Sequence, residues 1–152
     1  MFRHAIHSVI HLYIMKKEND EKIPYRNRSH SGWWITSVIM RFEYYDEDKN
    51  DLKRKCKVWD NLTLIEANDR DEAYDKAIEC GKVGENEAWD ENTGRRGRWQ
   101  FEGLGLLLPV YDNLENGAEV LWTEHEDISV EESMALVLPK LQLGCFDDNP
   151  NE

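Results

Sequence analysis

Large apolar side chains recur at alternate positions in separate stretches of this chain, and that spacing predicts β-strands. The run 33–45, Trp-Trp-Ile-Thr-Ser-Val-Ile-Met-Arg-Phe-Glu-Tyr-Tyr, is rich in β-branched and aromatic residues that pack well on a pleated surface. Successive strand side chains point to opposite faces, so the even positions Trp34, Val38, Met40, Phe42 and Tyr44 are predicted to line the core. A charged loop, 46–55, leads to a second strand over 56–67 that carries Val58, Trp59, Leu62, Leu64 and Ile65. A long hairpin with the first strand is the simplest pairing, and the turn-like Asp60-Asn61 within it suggests a bulge or break.

The period then changes to that of a helix. Asp69 can cap the first turn and Glu72 stands three residues on, the spacing of a capping box. Ala73, Tyr74, Ala77, Ile78 and Gly81 fall on one face, predicted to lie on the sheet, and Gly81 is expected to end the helix in the left-handed conformation. Asp71, Asp75 and Glu79 form the opposite, solvated face. Residues 82–96 are polar and read as a loop. A third strand over 97–111 opens with Trp99 and Phe101 facing one way and Arg98, Gln100 and Glu102 the other. Gly103 and Gly105 interrupt it and predict a bend or bulge, while Pro109 marks an edge or a break. Asn116-Gly117 supplies turn chemistry for a last strand over 118–123. Ser129 to Glu132 repeats the capping-box spacing and opens a short helix through Leu138, before Pro139.

These elements predict an α+β fold: an antiparallel sheet of about four strands, one main helix packed on a face, a short C-terminal helix and disordered ends. The expected organisation is a mobile N-terminal arm at 1–32, a core domain at 33–127, and a short helix with an acidic tail at 128–152. The segment before Met15 shares no feature with the body, so Met15 or a later codon is a candidate natural start. With 152 residues and 40% apolar side chains, the chain can bury one core.

Charge narrows the range of partners. The chain holds 19 basic and 31 acidic residues, net −12, and the excess falls after Tyr45. That balance repels a phosphate backbone and disfavours nucleic acid, but it favours and steers a basic protein partner. Cys56, Cys80 and Cys145 are odd in number and widely spaced, which is neither a disulfide framework nor a metal-ligand pattern and fits a cytoplasmic setting. The apolar run near the N-terminus is too short to span a bilayer and is broken by His7 and His11, so neither a signal peptide nor membrane association is expected.

The residues of the middle region resemble a bacterial family catalogued as domain of unknown function 4288. The resemblance rests on Trp33 or Trp34 opening the first strand, and on Leu64-Ile65-Glu66-Ala67 leading into Asp71-Glu72-Ala73 and Lys76-Ala77. Gly97, Trp99, Phe101 and Gly103, and a closing Gly117, Glu119 and Val120, complete it over about residues 33 to 123. It implies a compact α+β domain and brings no activity, cofactor or catalytic residue with it.

Candidate chemistry is sparse. His4, His7 and His11 have the spacing of ligands on one helical face, but they lie in the expected arm, where a tail without a metal is the stronger reading. His125 stands between Glu124 and Glu126, whose side chains point to the opposite face in a strand and cannot converge with it on one reacting atom. No cysteine has a base beside it, and Cys80 reads as a small core residue. Of the six tryptophans, Trp34, Trp99 and Trp122 are assigned to the core and Trp89 to the surface. Beside Trp89, the cluster Arg95, Arg96 and Arg98 is the one compact positive patch of the body, and these four are the candidate interaction residues. No catalytic, cofactor-binding or metal-binding residue is assigned. The expected role is therefore a non-catalytic binding or interaction module. The alternatives are an inhibitor or immunity-type protein that neutralises a basic effector, and an enzyme with an unrecognised carboxylate site.

Overall fold

The computed structural model of the protein describes residues 23–146. Four antiparallel strands form one sheet in the order β2-β1-β4-β3: β1 (Trp33–Tyr44), β2 (Lys57–Glu66), β3 (Asn86–Trp89) and β4 (Arg96–Pro109). The main helix, α1 (Arg70–Val83), connects β2 to β3, and a short helix, α2 (Val130–Ala135), follows the sheet. The predicted α+β class, the hairpin of the first two strands and both helices are present.

β1 is central and flanked on both sides, which is where the most apolar run of the chain belongs. Its inner face carries Trp34, Val38, Met40 and Phe42, all buried as predicted, together with Thr36, whose hydroxyl donates to the Leu106 carbonyl at 2.9 Å. Trp34, Ile65, Ala67, Ala73 and Ala77 form one core cluster; Val38, Met40, Phe42 and Trp99 form the second. Small residues let α1 approach the sheet closely. A Cβ on Gly81 would strike the Phe101 ring, so this glycine serves contact within the helix and not its termination. The helix accordingly runs on to Val83 and is capped at Gly84, past the expected end. At its start Asp69 accepts from the Glu72 backbone N–H at 2.9 Å, and the Glu72 carboxylate accepts from Asn68 in place of the capping residue itself.

β1 and β2 pair in unbroken register, so the expected bulge at Asp60-Asn61 is absent. The Asp60 carboxylate instead accepts from the Ser37 hydroxyl across the ladder, which uses its polarity without disturbing the backbone. The bulges lie in β4, where the register against β1 shifts once between Ser37 and Val38 and again between Ile39 and Met40. The glycines predicted them: Gly103 takes φ +145°, and a side chain on Gly105 would meet the Ser37 hydroxyl.

Two expectations about strands fail. Residues 86–89, read as loop, form β3, a four-residue edge strand paired to β4 from Asn86 opposite Trp99 to Trp89 opposite Arg96. Such a strand is too short to show a period. Residues 118–123, read as the last strand, are irregular although Gly117 makes the expected turn at φ +91°. β3 pairs only with Arg96 to Trp99, so the edge of β4 beyond Trp99 stays open, yet residues 118–123 form no ladder with it. Pro109 closes β4 well beyond the end of β3, where its missing N–H costs no bond on that side.

Of the expected arm, residues 1–22 lie outside the described residues, including the histidines at 4, 7 and 11. Tyr25–Asn27 forms a single 3-10 turn, the Ser31 hydroxyl donates to the Val110 carbonyl at 2.7 Å, and Tyr111 donates to the Arg26 carbonyl at 2.6 Å. The chain divides into two compact units, Met1–Leu121 and Trp122–Glu152. In the second, Ser129 and Glu132 complete the predicted capping box at 3.1 and 2.7 Å, and every described residue is exposed. Trp122, expected in the core, is 57% exposed, because no strand forms there to turn it inward.

Candidate interaction surface

One face of the sheet packs against α1. The register defines what stands on the other. Leu64, Ile35 and Leu108 form one row across β2, β1 and β4; Leu62, Ser37 and Leu106 form the next; Asp60, Ile39 and Gly103 follow. The first two rows are apolar except for Ser37, whose hydroxyl is already satisfied by Asp60. Ile35 is buried, but Leu62 is 58% exposed, and Leu64 and Leu108 are also exposed. Three leucines in adjacent rows of one face make a contiguous apolar patch on a domain whose core lies on the opposite face.

Beyond the leucines the same face becomes charged. Glu43 is buried at 6% and receives Arg41 at 3.3 Å, Lys49 at 3.2 Å and Arg54 at 3.6 Å, while Arg41 also donates to Glu102 at 2.6 Å. Burial opposes the charged form of Glu43, but the hydrogen bonds and charges of Lys49 and Arg41 outweigh it and hold the carboxyl below the usual range. Lys49 and Arg54 come from the β1–β2 loop, so this loop folds back to close that end of the face. Arg54 extends the network to Glu47 at 3.1 Å, and the whole has the character of a structural ion cluster.

The hairpin of β3 and β4 continues this face. Trp89 and Arg96 stand opposite one another in register, with the Arg96 guanidinium 5.3 Å from the ring centre, and Arg98 stands in the row of Glu43 and Glu87. Trp89 is 64% exposed, as expected from the sequence. Arg95 parts from the other three: it forms a bidentate pair with Asp46 and lies 3.7 Å over the Tyr44 ring. Three of the four candidate residues are thus gathered on one face, and the fourth belongs to the loop.

That loop is held by Asp90. Its carboxylate accepts from the Tyr44 hydroxyl and from the Asn92 backbone N–H at 3.0 Å, and it pairs with Lys57 at 3.3 Å. The Tyr44 bond first, then Asn92 and Lys57, overcome desolvation and hold the carboxyl at about 2. A carboxyl depressed from its ordinary 3.8 contributes fully above that value and loses the contribution as pH falls toward about 2. Asp90→Asn is therefore expected to lower the melting temperature at neutral pH, with the gap to the parent chain closing between about pH 4 and about pH 2. A gap that is constant with pH in thermal melts would show that the charge of Asp90 is not what holds the loop.

Other candidates lead elsewhere. Cys80, read as a core residue, is exposed on α1, as are Cys56 and Cys145. The buried stripe of α1 is Ala73, Ala77 and Gly81, and Cys80 beside it opens on a cleft that Met40 and Trp59 also line. Among the described residues no three histidine, cysteine or acidic side chains are grouped to hold a metal ion, and no helix is long and apolar enough to cross a membrane. The sheet-face leucines were visible as strand residues, but their exposure was not. The signal for it is that Leu62 and Leu64 share parity with Val58 and Asp60, opposite to that of Trp59 and Ile65.

The family model of the domain of unknown function DUF4288 matches residues 33–122, from the first residue of β1 past the end of β4. The chain belongs to the DUF4288 family. No match was found among curated proteins or among solved structures. Within this DUF4288 domain both the leucine rows and the β3–β4 hairpin fall inside the matched region, whereas α2 and the exposed residues after Trp122 fall beyond it.

Proposed function

We propose that this DUF4288 domain is a non-catalytic interaction module that binds another protein through the face of the sheet opposite α1. The observation that carries this reading is the exposed group Leu62, Leu64 and Leu108 in adjacent rows of a face that α1 does not cover. Apolar surface of this kind is stabilised by leaving water, and its neighbours fix the orientation of what covers it. With a net charge of −12, the domain favours a basic partner whose encounter is accelerated by long-range attraction. The perturbed carboxylates Glu43, Asp46, Asp90 and Glu72 are each engaged with a neighbouring cation, hydroxyl or amide, which favours a structural role for them over proton transfer.

The test is affinity capture with the full chain beside a Leu62→Ser/Leu108→Ser variant. Both positions are exposed, so the variant is expected to keep the parent's circular dichroism spectrum and lose the specific partner. The association rate of the parent with that partner is expected to fall steeply as salt rises. Retention of the partner by the variant would remove the leucine face from the interaction, and a rate indifferent to salt would remove the electrostatic part of the reading.

A further inference from the structure

The inner side of the sheet is not covered evenly. α1 starts over Trp34, Ile65 and Ala67 near one end of β2 and finishes over Phe101 of β4, so it crosses away from the middle of β2. Between its C-terminal end and β2 lies a cleft of about 430 Å3. β2 supplies Trp59, Asn61 and Thr63 to one wall. Cys80, Gly84 and Asn86 form the other, and Val38, Met40 and Trp99 make the floor.

The composition of this lining is selective. A third of the chain is charged, and two further clefts include Arg70 together with Asp69 or Asp71, yet among the described residues no Asp, Glu, Lys or Arg lines this one. Trp59 rests on Trp99 with ring centres 4.0 Å apart and still leaves 51% of its surface open. An indole held on one side by another indole is a rigid platform for a flat ring. Asn61 and Asn86 bring carboxamides from opposite walls, each with donors and an acceptor, and the Thr63 hydroxyl makes only a long 3.4 Å bond to the Asn61 carbonyl. Asn61 is exposed and Thr63 half-buried on the inward side of β2, so both present polar groups to whatever fills the cleft.

We propose that this cleft binds an uncharged, flat heteroaromatic ring with hydrogen-bonding groups on its edge, of nucleobase size. The volume is within the range of small-molecule sites, about 300–1,000 Å3. A hydrocarbon ring would strip water from the two carboxamides and return no hydrogen bonds. A phosphate or carboxylate would find no cation among the described residues of the lining and an acidic protein around it, so the free nucleoside and not the nucleotide is the ligand form that fits. This site is separate from the leucine face, which lies on the other side of the sheet, and stands or falls independently of it.

Cys80 provides the readout. In the full chain carrying Cys56→Ser and Cys145→Ser, the rate of Cys80 alkylation by iodoacetamide is measured against increasing adenosine, guanosine, cytidine and uridine. At least one nucleoside is expected to slow the reaction saturably, by about fivefold or more near full occupancy. Its 5′-monophosphate is expected to protect less, and Trp59→Leu and Asn86→Leu, both at exposed positions, are each expected to reduce the protection. Absence of protection by all four nucleosides, equal protection by the monophosphate, or protection that survives both substitutions would overturn the proposal. Stronger protection by N-acetyltryptophanamide than by any nucleoside would overturn it in favour of an aromatic peptide side chain.

Discussion

Gly97→Val should destabilise the domain by about 3 kcal/mol, lowering the melting temperature by on the order of 10 °C. Gly97 is buried on β4 opposite Tyr44, and a Cβ there would run into the Glu43 carbonyl oxygen and come within 2.6 and 2.8 Å of the Phe42 ring. Neither neighbour can step aside. Phe42 is 2% exposed and wedged edge-on against both Tyr44 and Trp99, and the Glu43 carbonyl belongs to the central strand. Relief therefore requires β1 and β4 to separate, which weakens the ladder at the middle of the sheet. Gly144→Ala is the matched control, because among the described residues nothing lies within 4 Å of a Cβ at that position. Thermal unfolding followed by circular dichroism measures both, and a Gly97→Val protein as stable as its parent would contradict the close packing of β1 on β4.

Trp34→Ala is expected to cost about 3–5 kcal/mol, comparable to the whole stability of a marginal domain. The indole is 3% exposed and touches both the sheet and the helix, lying among Ile65, Ala67, Ala73 and Ala77 with Leu104 and Leu107 alongside. The alanines that let α1 sit close also leave Trp34 as the main bulk between the layers, so no neighbour is large enough to fill the void. A second loss accompanies the cavity, because Nε1 donates to the Ala67 carbonyl at 3.2 Å. Trp34→Phe separates the two: it keeps most of the volume and gives up the hydrogen bond, at an expected cost of about 1 kcal/mol beyond the lost ring area. Urea unfolding of the parent and both variants reads these values. Equal costs for alanine and phenylalanine would mean that the hydrogen bond and not the packing dominates at this position.

Much of this architecture was legible because it is periodic. The inner face of β1, the capped start of α1 and the glycine interruption in β4 each follow from local residue patterns, and each stands in the structure. What escaped was decided by partners distant in the chain. Asn86-Glu87-Ala88-Trp89 becomes a strand because β4 offers it a backbone edge, and no pattern in four residues could announce that. Residues 118–123 have strand composition and yet stay irregular, although the edges of β2 and of β4 beyond Trp99 are open. Gly81 suits both a helix end and a helix contact, and only the Phe101 ring opposite decides between them. The interaction residues divided the same way. Trp89, Arg96 and Arg98 share a face through strand alternation, whereas Arg95 was drawn to Asp46, a residue far away in sequence. The cleft beside Trp59 was hidden for a related reason: it depends on the crossing direction of α1, which small residues permit but do not reveal.

The two register shifts in β4 work as a compensating pair. Fourteen residues of β4 run beside the twelve of β1, so β4 gains one residue at each shift. The first gain exchanges inward and outward positions, which is how even-numbered Leu104 comes to face the core while Trp99 and Phe101 reach it from odd positions. The second gain restores the original parity, so Leu107 points inward again. Loss of one of the extra residues, Glu102 at one shift or Gly105 at the other, would erase that bulge and leave Leu107 opposite Thr36 and facing the core. Each shift thus holds a spare residue, so this strand can shorten by one or by two there without exchanging the inside and the outside of the sheet.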